Sequence, residues 1–298
     1  MKEKSVNRLL ARVRPDRALY YYYKDRYALE LLALEAGKGR PVRELKQGPL
    51  SPLLRKKAVR EILAKAGDGT VNADSLLAHW PARPYCYVVT LGKWGSRNPH
   101  CWWQTSRRGH NLVVQLNFTK SHDRMYMRHI RDSYGLNCPF HPVRYKRRNT
   151  VAWARVDYDE QRNEALIEEI QTDWMRYALW DLGGKKASRG EREYMKKTLA
   201  PHFSMWAEAT LAATLRFCRE DLGARVIWYH THAAGQKLRG GEPPYSLYET
   251  LPKRFCFERV YEQPAIVRPR KGRRRKEVEG YPFWKMTLNE AASDQPSA

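Results

Sequence analysis

The spacing of apolar positions changes along the chain, and the changes divide it. Over residues 1–80 the spacing is helical. Leu19, Tyr22, Tyr23, Tyr27, Leu31 and Leu34 fall on one face of a predicted helix that stops at Gly37, and residues 50–67 predict a second, entered through Ser51 and Pro52 and closed by Gly67. Tyr85–Trp94 and residues 112–118 instead carry aromatic and β-branched residues bounded by Gly and Asn, the mark of strands. Two more extended runs, 151–159 and 164–172, are parted only by the polar residues 160–163 and predict an antiparallel hairpin.

A long helix follows. Pro201 stands at its start, Phe203, Trp206, Leu211, Leu215, Cys218 and Leu222 recur on its apolar face, and Gly223 stops it. The nearly continuous apolar run 226–229 predicts a central strand buried on both faces, parallel to 164–172 and joined to it by a right-handed crossover. A short helix at 247–251, broken at Pro252, and a strand over 255–261 complete the order. The fold class expected is α+β: a helical N-terminal arm (1–82), a mixed central sheet in an α/β domain (83–265), and a basic, flexible tail (266–298).

Length and composition set the outer limits. In 298 residues, 42% hydrophobic with ten Trp, there is material for a large core, so a wholly disordered chain is excluded. No run of eighteen apolar residues and no apolar stretch behind the basic N-terminus is present, so a soluble, cytoplasmic protein without a membrane partner is expected. Five widely spaced cysteines do not form a disulfide framework; Cys218 and Cys256, the latter in the last strand, read as buried small hydrophobes.

The net charge of +23 is unevenly placed: residues 83–148 carry 13 Lys/Arg against 2 Asp/Glu, whereas residues 149–265 carry 17 of each. A neutral core unit with basic surroundings points to nucleic acid, RNA or DNA, or another polyanion as partner. Between the two early strands, Arg97, Trp102, Trp103, Arg107, Arg108 and His110 interleave cations with rings. Single-stranded nucleic acid requires that combination, and Arg147 and Arg148 add charge nearby. The alternative is a Trp-anchored loop with solvated arginines. The tetrad 20–23 reads as core packing, and the run 268–276 as either a polyanion contact or a solubilising tail.

Candidate chemistry gathers at the end of the strand 164–172. Alternation places Glu169, Gln171 and Asp173 on one face and Glu168, Ile170 and Thr172 on the other, and strand ends of this kind are where α/β proteins hold their sites. The bland reading is a solvated strand face, with Asp173 a helix cap and Trp174 a core anchor. Cys138 and His141 have zinc-ligand spacing and His100 with Cys101 could add donors, but no second well-spaced pair completes a tetrad, so no metal is assigned. His230 and His232 share a strand face and suit a pocket mouth.

The order of hairpin strand with Glu, long helix, buried strand and a short helix with Tyr in SLYETLPKRFCF resembles the core of GNAT-type acyltransferases. The segment EIQTDW also resembles bacterial and phage-associated proteins with an EIQ-Ser/Thr-DW signature. The GNAT resemblance covers residues 149–265. It implies a βαβ core that transfers an acyl group from acetyl-CoA or another acyl-CoA to an amine, here on a nucleic-acid-associated acceptor.

Under that resemblance Glu169, or Glu168, removes the amine proton, Tyr248 protonates the departing thiolate from the opposite wall of a slot between parallel strands, and Asp173 completes the catalytic set. The family's glycine-rich phosphate turn is missing after Trp174. Gly183, Gly184 and Lys185 stand as a substitute cradle, with Gln171 and His230 as further coenzyme contacts. Two alternatives remain open: a non-catalytic nucleic-acid-binding protein on a degenerate version of the fold, and a metal-dependent nuclease using Glu169 and Asp173.

Overall fold

The computed structural model describes residues 1–13, 18–67, 69–95, 105–107, 109–132, 135–143, 149–184, 186–239, 242–267 and 280–288. After α1 (Glu3–Arg12) comes an edge strand, β1 (Ala18–Tyr22), then α2 (Arg26–Ala36). A two-stranded pair, β2 (Arg40–Pro41) with β3 (Thr70–Val71), encloses α3 (Val42–Leu45), a 3-10 turn (Ser51–Arg55) and α4 (Lys57–Leu63); α5 (Ala73–Leu77) follows. The sheet then takes β4 (Tyr85–Trp94), β5 (Asn111–Asn117), β6 (Thr150–Asp159) and β7 (Glu164–Gln171), with α6 (Lys120–Ile130) between β5 and β6.

From β7 the chain enters α7 (Trp174–Tyr177), which widens into π turns through Leu182. A second helical run holds α8 (Arg189–Glu193) and α9 (Ala200–Phe203), and a third, α10 (Trp206–Arg216). Then come β8 (Val226–His230), α11 (His232–Arg239), α12 (Leu251–Arg254), β9 (Glu258–Val260) and β10 (Phe283–Thr287). The eight-stranded sheet has the order β1-β4-β5-β6-β7-β8-β10-β9, antiparallel except for the parallel pair β7 and β8. Among the described residues no helix is long and apolar enough to cross a membrane.

The α+β class and the mixed sheet are as expected; four parts differ. Tyr20 and Tyr22 are buried in β1, a strand rather than a helix, because alternation sends them to one side while Leu19 and Tyr21 face out. The short helix does not break at Pro252: that residue lies in the first turn of α12, where proline's missing N–H costs no bond. Cys256 lies in the turn after α12 with φ +59°, and the strand begins only at Glu258. Residues 283–287, assigned to the tail, form β10 and insert between β8 and β9; residues 268–279 lie outside the described residues.

The two sheet faces differ in chemistry. Ala154, Val156, Ile167, Ile227 and Tyr229 join one core with α10 residues Leu211 and Leu215; it reaches Val6 and Leu29 in the N-terminal helices, which are thus packed on the sheet. Apolar burial on that scale is the main stabilising term, at about 25 cal/mol per Å². The opposite face is polar over much of its width. Thr90, Gln115, Asn117 and Thr150 bond one another there, Arg155 and Asp157 follow, and a smaller apolar cluster of Leu166, Trp228, Ala234, Ile266 and Phe283 closes its far side.

Candidate functional site

One irregularity positions the site. The register of β6 with β7 runs from Arg155 opposite Glu169 to Val156 opposite Ile167, leaving Glu168 as an extra residue, a β-bulge. Ile167 and Ile170, three apart, both enter the helix-side core, which an unbroken strand cannot arrange. The carboxyl groups of Glu168 and Glu169 are thereby both sent to the polar face. Parallel pairing with β8 ends at the same point, with Ile167 opposite Tyr229, although β7 continues to Gln171.

Glu168 and His230 are both fully buried, with Oε2 3.2 Å from Nε2. Ser106 completes the group: its Oγ lies 2.8 Å from Glu168 Oε2 and 2.9 Å from His230 Nε2, and its main-chain N–H donates to the same carboxylate. Burial would raise the Glu168 carboxyl, but the hydrogen bond and charge of His230, with Arg155 and Ser106, outweigh it and hold the group down at about 2. The carboxylate is therefore anionic at neutral pH. A hydrolytic triad needs serine and carboxylate on opposite ring nitrogens; here both approach Nε2, so the arrangement is not that triad. Because an ionised carboxylate only accepts, Nε2 carries the proton of this bond, and an imidazolium at His230 is stabilised by the anion beside it.

The expected slot between Glu169 and Tyr248 is corrected. Glu169 pairs with the buried Arg155, whose Nε is 2.9 Å from its carboxylate, on the polar face. Tyr248 packs on the helix side against Tyr229, ring centres 5.4 Å apart. Its hydroxyl nevertheless rises to the parting of β7 and β8, where it donates to the Glu168 main-chain carbonyl at 3.4 Å. Glu168, placed by alternation on the wrong side, is the glutamate that meets His230. No sequence signal separates two adjacent glutamates around a bulge, and Ser106 carries no motif.

Asp173 is buried and bonded to His141 (2.8 Å), Arg176 (2.9 Å) and Gln171 (3.3 Å). It does not cap α7: Thr172 Oγ1 accepts from Met175 N at 3.2 Å instead. With Glu169 and Asp173 each in its own ion pair, the two do not converge as a metal site, and among the described residues no three His, Cys, Asp or Glu side chains group as ligands. His232 opens α11 rather than extending β8, so the two histidines do not share a strand face.

The phosphate cradle is not built as expected. Gly183 follows the C-terminal end of the helical run from Trp174, where carbonyls face outward and repel anions. The next helix start, at Ser188, is closed by its own capping box with Glu191. Asp173 already places an anion at the head of α7. Gly184 is exposed in the connecting loop, and Lys185 lies outside the described residues. The described residues thus do not supply the phosphate-holding turn of a coenzyme site.

Of the nucleic-acid candidates, Arg107 is committed inward to the buried Asp157, and His110 is buried. Arg97, Trp102, Trp103, Arg108, Arg147 and Arg148 lie outside the described residues. Trp174 is fully buried and donates to the Tyr194 hydroxyl at 2.8 Å. No protein-family model, no curated protein and no solved structure matches the chain.

Proposed function

We propose that the chain is a GNAT-like N-acyltransferase in which His230, supported by Glu168 and Ser106, accepts the proton of an amine, while Tyr248 serves the departing sulfur. The acceptor class, an amine on a nucleic-acid-associated molecule, follows from the charge of +23 around a neutral core unit. One observation carries the reading. Two parallel strands lose their pairing at a bulge, with a buried His–Glu–Ser cluster on one side of the parting and a tyrosine hydroxyl 3.4 Å from the bulged residue's carbonyl on the other.

The acyl donor is a substrate, and a coenzyme A thioester supplies the activated carbonyl. Its phosphate end finds no cradle among the described residues, so the support is for the thioester end alone. The amine nitrogen forms the new C–N bond and the C–S bond breaks. The His230 imidazole, held at Nε2 by anionic Glu168, takes the amine proton as an imidazolium, and the Tyr248 O–H gives its proton to sulfur. The Ser106 hydroxyl donates its one proton to Glu168 and accepts from the His230 Nε2–H, tying the two groups together.

Thiol release from acetyl-coenzyme A in the presence of amine-bearing RNA tests these roles. His230→Gln and Tyr248→Phe should each lower kcat by about 100-fold, within the range for one proton-transfer group, with the donor KM changed by less than about threefold. Wild-type turnover retained in both variants would remove the assignment. A second reading, a polyanion-binding protein without catalysis, is favoured by Asp173 occupying the anion position at the head of α7.

A further inference from the structure

Helices α6 and α8 lie closer together than side chains normally permit. A Cβ at position 190 would stand 2.5 Å from the His129 main-chain oxygen, so glycine there allows backbone contact between the two helices. Their inner faces are accounted for: His122 bonds Tyr194 at 3.0 Å, and Tyr126 and Tyr194 pack ring to ring. What they turn outward is cationic. Residues 120–131 and 186–197 together hold nine Lys/Arg against three Asp/Glu; the first stretch belongs to the basic region 83–148, and the second is a basic island within 149–265, which carries 17 of each sign.

Spacing aligns that charge. Arg124 and Arg128 on α6, and Arg192 and Lys196 on the run begun by α8, are each four residues apart, so each pair shares a helix face, and all four are exposed. Exposed apolar groups accompany them. Met125 and Met127 lie in the open on α6, adaptable side chains of the kind that pack on varied partners. In the adjoining run from Trp174, which packs on Tyr126 at 4.9 Å, Trp180 is 68% exposed, with Arg176 5.7 Å from its ring centre. The indole adds an exposed aromatic face beside these cations.

We infer that α6, α8 and the Trp180 turn form a docking face for single-stranded nucleic acid, the cations meeting phosphates and the indole stacking on an unpaired base. Polyanion charge answers the excess of Lys/Arg, and unstacked bases are what distinguish a single strand from a duplex or an anionic membrane. This deepens the acceptor class proposed above by giving it a place on the helical layer.

Binding of the full chain to a fluorescent single-stranded RNA of about 20 nucleotides, at about 50 and about 200 mM salt, tests it. Replacing Arg124, Arg128, Arg192 and Lys196 together by Ala should weaken binding at least tenfold and make the salt slope shallower by about 3. Trp180→Ala should cost about fivefold or more at unchanged slope, since stacking is not ionic. Unchanged affinity in the quadruple variant, equal affinity for the duplex, or full competition by anionic vesicles would overturn the assignment. All five side chains are exposed, and melting curves confirm folding of each variant. Acetyl-coenzyme A binding, read on the same preparations, stays intact if only this surface is wrong and is lost from every preparation if acyl transfer is wrong.

Discussion

Glu168 and Glu169 carry the same group one position apart, yet one faces His230 and the other neutralises Arg155. The bulge makes the difference, since it adds a residue without changing the strand's direction. Buried titratable groups also give the fold an acid limit. Burial first, and the charge of His122 second, hold the His202 imidazole down at about 3, and its Nδ1 sits 2.6 Å from the Tyr87 hydroxyl. Its folded value lies below the ordinary 6.5, so the unfolded chain binds the proton first, and stability present above 6.5 falls as pH drops toward 3. Glu168 acts in the same direction in a lower window, from its ordinary 4.5 down to about 2. His202→Gln should therefore lose less stability than wild type between pH 7 and 5 in denaturant titrations; parallel pH curves for the two proteins would refute the assignment.

At the scale of elements, β10 holds the site's back wall. Trp284, 2% exposed, donates from Nε1 to the Tyr248 main-chain oxygen at 2.7 Å, fixing the turn that carries the tyrosine. Trp284→Ala should cost about 3–5 kcal/mol in chemical denaturation, the range for a large aromatic removed from a core. A loss under about 1 kcal/mol would mean that β10 is not integral to the sheet. Gly190→Ala should separate α6 from α8, costing about 1–3 kcal/mol, because main-chain atoms cannot step aside as a flexible side chain can; an unchanged unfolding midpoint would mean the helices are not in contact.

Much of this level was legible in the sequence: β4, β5, the β6–β7 hairpin, α10 and β8 follow period and punctuation. Less legible was β1, whose Tyr20 and Tyr22 fit a helix or a strand until a partner strand is known, and β10, where only five residues of strand follow a basic run. The site was legible as a neighbourhood, the end of β7 with His230 and Tyr248. Its members were not, because Ser106 arrives from a distant loop and the bulge reverses the two glutamates.

The described residues are built around one eight-stranded sheet with an apolar face under helices and a polar face crossed by buried ion pairs, with His230, Glu168 and Ser106 where the parallel pairing of β7 and β8 ends. Catalysis at that point requires a donor to enter the parting of β7 and β8, and entry can be measured without knowing the acceptor. Calorimetric titration of the full chain with acetyl-coenzyme A should give one site per chain with Kd near about 10 µM or tighter, with Tyr248→Phe binding alike. No heat up to about 1 mM donor would contradict acyl transfer and leave a polyanion-binding protein built on this sheet.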